Sequence, residues 1–419
     1  MRTFEGWGFK KDPPLSEVLS VLQLRTIDEP LLPNLKTFGS LFITGELVQF
    51  IPLLLSPRTT VFWIGWITVG KLDFPKVMVA SMIIALPTRC PNLQDIILPT
   101  LRRDPVITAA VSEMVLATNR NTLRRFRVDS PLTDEAREMI CNLSDLRELL
   151  VVIERDTALP SVVLPNLTNL TIRYYNNGDW LRVFRRATLG KLEAVTFHSE
   201  SEQISGFLEI FERVALAASL QNTLSKFHLH TSLPWNPNYS SLLPFTQLTS
   251  LVIDFSCAWD CSSNVDDELI TNLAQTMPKL GTLQLGDPPC GEIIGSVTAK
   301  GLMVLAHHCP DLTTLRIHFQ ATTLIVPPVI TGVTGNVGST SLRRRCALRE
   351  LVVGDIPVPQ EYAPEVGRTL LHIFSRIEGI NYFDEDWEEV IVAIRRSGQT
   401  IDRSHGAFKI TLVESDGEL

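Results

Sequence analysis

An α/β solenoid, with a parallel sheet on its concave face and helices on its convex face, is the fold that three observations in this 419-residue chain predict. One phrase recurs at Cys90–Leu98, Leu164–Ile172, Met277–Leu285 and Cys309–Ile317, each time ordered apolar-Pro-x-Leu-x-x-apolar-x-apolar. Each copy closes a stretch whose apolar residues return at helical spacing. Proline-free versions of the phrase fill the gaps between the four.

Every element of the phrase has a physical task. The proline lacks an N–H and ends the preceding helix at or before itself. The next apolar residues alternate with polar ones at strand period, so Leu283 and Leu285 point inward while Thr282 and Gln284 point out. One such unit buries nothing by itself. Stacked in parallel, each unit covers the leucines of the next, which is the grammar of a leucine-rich repeat.

Further copies run over Asn121–Val128, Leu143–Val151, Leu189–Phe197, Asn222–Leu229, Phe245–Ile253 and Cys346–Val353, with degenerate first members at Leu32–Phe38 and Thr60–Ile64. The count is about a dozen units. The leading leucines fall at 93, 123, 146, 167, 192, 224, 248, 280, 312 and 348, so the repeat is irregular. A regular repeat carries Asn or Cys three residues beyond the last strand leucine, but Leu101, Pro131, Tyr175, Glu200, Ser232, Ser256, Pro288, Gln320 and Ile356 stand there. The asparagine ladder is therefore missing, and the longer intervals leave room for a full helix per unit.

Asp266 and Asp267 occupy an N-cap position, after which Leu269, Ile270, Leu273, Ala274 and Met277 recur on one face. Leu302, Leu305, Ala306 and Cys309 repeat the pattern. Amphipathic runs also occupy 106–117, 134–141, 205–219 and 365–376. Strict alternation of strand and helix is the expectation, with a parallel sheet inside and helices outside.

A solenoid can spend this length on one elongated core. The expected organisation is an N-terminal segment over 1–31, irregular leucine-rich repeats over 32–356, and a C-terminal helical cap and tail over 357–419, closed by an amphipathic segment from Trp387 to Arg396. Net charge of −8 and a pI near 5.6 argue against a nucleic-acid partner, and the basic run Arg343-Arg344-Arg345 reads as a solvated loop. The seven cysteines are scattered, with Cys90, Cys309 and Cys346 at core-facing repeat positions, so a reducing compartment is expected. Met1–Pro14 lacks the pattern of a signal peptide, and no apolar run reaches the roughly 20 residues of a membrane span. The expected setting is cytoplasmic or nuclear, with no membrane partner.

Chemistry is sparse. Gly332, Gly335 and Gly338 are spaced by three, but no Lys-Ser/Thr follows, so the segment reads as a mobile loop rather than a phosphate loop. Cys257 and Cys261 lack a second Cys or His pair at zinc spacing. His307 and His308 suit a helix C-terminus, and Asp384, Glu385 and Asp386 a helix N-terminus. No nucleophile, base and stabiliser assemble. The expectations are therefore no enzyme activity, no cofactor and no metal.

What remains is a surface, formed by the two outward strand positions of each repeat. It includes Asp95, Asn169, Thr171, Thr196, Thr282 and Thr314, and its candidate protein-binding residues are Arg125, Arg127, Glu148, Lys226, His228, Gln284, Arg316 and Glu350.

The apolar-Pro-x-Leu phrases, the irregular unit length, the Ala299–Leu312 helix-to-strand segment and the Trp387 helix resemble the repeat region of fungal F-box/leucine-rich-repeat proteins over about Leu32–Arg396. The resemblance implies a substrate receptor of a Skp-cullin-F-box (SCF-type) ubiquitin ligase, the repeats holding the target. It implies a Skp-type adaptor and a cullin as partners wherever an F-box equivalent exists. No F-box is evident: that module is a helical unit opening with a Leu-Pro phrase, and Met1–Pro30 is too short for it. A free-standing repeat scaffold, or a truncated homologue with no ligase link, is the alternative.

Overall fold

The structure is a computed structural model that describes residues 3–6, 30–44, 48, 50–68, 76–98, 104–153, 164–174, 189–199, 220–231, 239–255, 265–286, 297–324, 346–353, 356, 358–382, 386–396 and 402–405. Two compact units divide the chain, Met1–Thr223 and Leu224–Leu419.

In the first unit, strands β1 (Thr3–Gly6), β2 (Thr37–Thr44), β3 (Val61–Thr68), β4 (Asp95–Leu98), β5 (Arg125–Val128), β6 (Glu148–Ile153), β7 (Asn169–Tyr174) and β8 (Ala194–Ser199) pair in chain order, every pair parallel. Helices α1 (Ile51–Leu54), α2 (Lys76–Arg89), α3 (Pro105–Ala117) and α4 (Asp134–Ile140) fill successive connections. In the second unit, β9 (Lys226–Thr231), β10 (Ser250–Phe255), β11 (Thr282–Leu285), β12 (Thr314–Ile317), β13 (Glu350–Val352), β14 (Gly379–Tyr382) and β15 (Asp402–His405) are likewise parallel and sequential. Their helices are α5 (Asp267–Thr276), α6 (Ala299–His308), α7 (Ala363–Ile373) and α8 (Asp386–Arg396). Both units are thus α/β with all-parallel pairing.

The register places equivalent phrase positions side by side. Asp95, Arg125, Glu148, Asn169 and Ala194 form one row in the first unit, and Lys226, Ser250, Thr282, Thr314, Glu350 and Gly379 its counterpart in the second. One residue on, Phe126, Leu149, Leu170 and Val195, or Leu251, Leu283, Leu315 and Leu351, are buried. The leading leucines from Leu93 to Leu348 are all buried too. Each contributes about 1.5–3 kcal/mol of apolar burial, so the row is the main stabilising feature of each repeat.

A second device holds the register where the asparagine ladder is missing. The residue before each strand offers one carbonyl to two amides of the next repeat: Arg147 N and Glu148 N both bond Arg124 O, and Gly281 N and Thr282 N both bond Thr249 O. Where that residue is threonine its hydroxyl donates to the same carbonyl, as Thr168 does to Arg147 O and Thr313 to Gly281 O. A one-residue slip would therefore break both backbone bonds and turn the leucines outward.

Helix starts follow the expected caps. Asp104, Thr133, Asp266 and Thr298 each accept an amide hydrogen bond at the N-terminus of α3, α4, α5 and α6. Beside Asp104, Lys76 donates a hydrogen bond that holds the carboxyl below its usual range, and the amides of the helix start reinforce it. Among the described residues between β9 and β10, a 3-10 turn, Tyr239–Leu242, stands where strict alternation calls for a helix. Pro244 stops helical continuation there, while Tyr239 and Leu242 still plug the core. A second 3-10 turn, Ala321–Leu324, follows β12.

Past residue 356 the alternation continues, since β14 pairs with β13 and β15 with β14, so the C-terminal segment contains strands as well as the expected helices. At its centre Trp387 is fully buried, its indole Nε1 donating to Ile356 O at 2.8 Å and its ring meeting Phe319 edge-on at 6.1 Å. Cys90, Cys141, Cys309 and Cys346 are unpaired and buried, which pushes the Cys90 and Cys141 thiols up to about 11 and Cys309 to about 12. Among the described residues no helix is long and apolar enough to cross a membrane. The amphipathic run at 205–219, the loop at 326–339 and the Arg343-Arg344-Arg345 run lie outside the described residues.

Candidate functional site

The strand positions that alternate with the buried rows carry the polar side chains of the sheet. In the first unit they are largely paired with one another. Arg125 on β5 meets Asp95 on β4 at 3.0 Å, and Arg127 reaches diagonally to Glu148 on β6 at 3.4 Å. Arg173 on β7, level with Val152 in the register, pairs at 2.5 Å with Asp129 just beyond β5. That ion pair and the Arg127–Glu148 pair flank Leu150 and Val152, which are buried although they share the polar face. The face is therefore a set of charge pairs over an apolar strip.

In the second unit, Lys226 and His228 on β9 lie level with Ser250 and Val252 on β10. His228 is only 8% exposed, and its Nε2 sits 2.9 Å from Ser250 Oγ. Burial, then the neighbouring His230 and Lys226, lower its pKa to about 4, so the ring is neutral near pH 7. Farther along, Gln284 on β11, Arg316 on β12 and Val352 on β13 form one row. Glu350 accepts a hydrogen bond from Asn381 Nδ2 of β14 at 2.5 Å. His230 and Asp254 stand 3.4 Å apart.

Each sequence-derived candidate thus lies on an outward strand position. Arg125, Arg127 and Glu148 come together in the first unit; Lys226, His228, Gln284, Arg316 and Glu350 are spread over four strands of the second, β9, β11, β12 and β13.

The motifs weighed for other chemistry separate from this face. Cys257 and Cys261, and Gly332 to Gly338, lie outside the described residues. His307 and His308 pack edge-to-face at 4.8 Å in the last turn of α6; burial, then His307, lowers the pKa of His308. Asp386, Glu388 and Glu389 occupy the first turn of α8, where the helix dipole favours them. Among the described residues no three His, Cys, Asp or Glu side chains come together as a metal site. A void of about 20 Å³ behind β6 and β7, lined by Leu132, Leu149 and Leu170 among others, holds no more than a water.

One feature escaped the sequence reading. Along the edge where β5 to β8 begin, a groove of about 320 Å³ is lined by Arg124, Asp145, Arg147, Asn166, Thr168 and Lys191. Asp145 and Arg147 flank the leading leucine Leu146, Asn166 and Thr168 flank Leu167, Lys191 precedes Leu192 and Arg124 follows Leu123. The signal was present in the repeat phrase, since a buried leucine forces both of its neighbours toward solvent.

No family model matches the chain, and no curated protein matches it. Among solved structures the chain is similar to one in the crystal structure of the Rad7 and Elc1 complex in yeast, with a TM-score of 0.38, 10% identity, and coverage of 91% of this chain and 85% of that chain. At that score the similarity carries no argument about this chain.

Proposed function

We propose that the chain is a protein–protein interaction module, a leucine-rich-repeat solenoid whose strand face receives a protein target as the substrate-recognition part of an SCF-type F-box protein does. The observation that carries the reading is the row arrangement. Outward positions of consecutive parallel strands align side chains of both charges, from Asp95 to Asn169 in one unit and from Lys226 to Glu350 in the other. Such rows present many shallow polar contacts over a long surface, which suits recognition of a macromolecule rather than enclosure of a small one. The ligase link rests on the resemblance of the repeat phrases and the Trp387 helix, and a free-standing scaffold uses the same face.

The test is capture of the tagged chain from its own host, with identification of its companions by mass spectrometry. Enrichment of a Skp-type adaptor together with a cullin supports the receptor reading. One reproducible partner without them assigns the chain to the scaffold class. Absence of any partner above the tag-only control removes both.

A further inference from the structure

From the edge groove of the first unit we infer a second contact surface, one that takes an extended acidic peptide segment and is distinct from the strand face. The inference rests on the reading of the repeats as protein-binding, and not on the ligase link.

The groove is built by the repeat itself. Leu146, Leu167 and Leu192 are buried, so the residues on either side of each are held outward on a backbone that the shared-carbonyl ladder locks in register. Its floor is ordered: Asn166 Nδ2 donates to Ser144 O at 2.9 Å, Asn166 Oδ1 accepts from Lys191 Nζ at 2.8 Å, and Thr168 Oγ1 donates to Arg147 O at 3.0 Å. Asn166 is a neutral amide, so its bond to Lys191 brings no negative charge to that end of the groove.

The guanidinium groups are the informative part. On the strand face, Arg125, Arg127 and Arg173 each hold a carboxylate. The guanidinium groups of Arg124 and Arg147 have no hydrogen-bond or ion-pair partner among the described residues, and both side chains are exposed. They stand on adjacent repeats, which a parallel sheet spaces at about 4.8 Å, a separation that successive carboxylates of an extended chain can span. Three cations face one anion, Asp145, in a chain whose overall charge is −8, so the groove is a local reversal of sign.

Size and chemistry select the occupant. Four repeats span roughly 14 Å at the strand spacing, enough for four or five residues of extended peptide. Among the described residues no aromatic side chain lines the groove to form the stacking platform on which single-stranded nucleic acid is held, and the chain's negative charge opposes a long polyanion. A short run of Glu or Asp is the ligand that fits.

The experiment is fluorescence anisotropy with the full chain and a labelled peptide containing four consecutive glutamates, against the same peptide with glutamines. The glutamate peptide is expected to bind and to weaken as salt is raised. The Arg124→Ala/Arg147→Ala variant should lose at least about tenfold in affinity with an unchanged melting temperature, because both side chains are exposed. Asp145→Asn, by removing the groove's one anion, should tighten binding by about two- to fivefold. Equal binding of the glutamine peptide, full binding by the double variant, or tighter binding of an oligothymidylate would each overturn the inference. Failure here leaves the strand-face reading standing, because that face is tested through Arg316, in the other unit.

Discussion

The carboxylate of Asp267, in the first turn of α5, accepts two hydrogen bonds from Thr298 one repeat later, the amide at 2.8 Å and the hydroxyl at 2.5 Å. Thr298 is itself the N-cap of α6, accepting from Lys300 N at 3.2 Å. One carboxylate thus ties the start of one helix to the cap of the next. Asp267→Ala is expected to cost about 1–3 kcal/mol, read from urea denaturation, because it leaves the Thr298 amide without its acceptor.

Gly301 completes that contact. A Cβ there would stand 2.5 Å from Asp267 Oδ1 and 3.0 Å from Val297 Cγ1. Alanine normally gains about 1 kcal/mol over glycine inside a helix, yet Gly301→Ala should destabilise the chain because the carboxylate must move. In an Asp267→Ala background the same change should cost less, and additive effects in the double-mutant cycle would refute the coupling.

Leu283 is fully buried on β11 between Leu251 and Leu315. Leu283→Asp should cost several kcal/mol, since it buries an unpaired charge between repeats. An unaltered melting curve would refute the repeat register.

His228 makes stability depend on pH. Folded, the ring resists protonation down to about pH 4, whereas in the unfolded chain it protonates around pH 6.5. Between these values the unfolded state binds the extra proton, so the contribution is fully present above pH 6.5 and is lost as pH falls toward 4, by up to about 3 kcal/mol. Stability curves of the native chain and of His228→Gln should converge on acidification. Parallel curves across that window would remove His228 as the cause.

Arg316 lies level with Gln284 and Val352 in the centre of the second unit's polar row. Arg316→Glu should weaken binding of a captured partner severalfold while the melting temperature holds, because the side chain faces away from the leucine row. Unchanged affinity in a folded variant would move the contact off this face.

Much of this was legible beforehand. The phrases at Cys90, Leu164, Met277 and Cys309 gave strand positions to the residue, and Asp266 and Trp387 marked the starts of α5 and α8, because a buried alternating strand and a capped amphipathic helix are local patterns. Helix α2 was implied only as the stretch that the Cys90 phrase closes, without bounds: apolar on several sides and carrying Pro87 in its last turn, it lacks a clean stripe. Strands β1, β14 and β15 were missed because Thr3–Gly6, Gly379–Tyr382 and Asp402–His405 lack a full leucine phrase, and their partner strands complete them.

By itself the sequence determined the repeat register, because the alternating inward apolar residues of each phrase admit only one set of faces. It also determined which side chains turn outward. Only the tertiary structure decided which of those charges are spent on one another. Asp95 and Arg125 lie 30 residues apart in the chain, and Asp129 and Arg173 lie 44 apart, yet the stacking of strands makes them partners. The same stacking leaves Arg124 and Arg147 outside any pair, since a residue just before a strand meets only its equivalents in the next repeat, and here those equivalents are not acids.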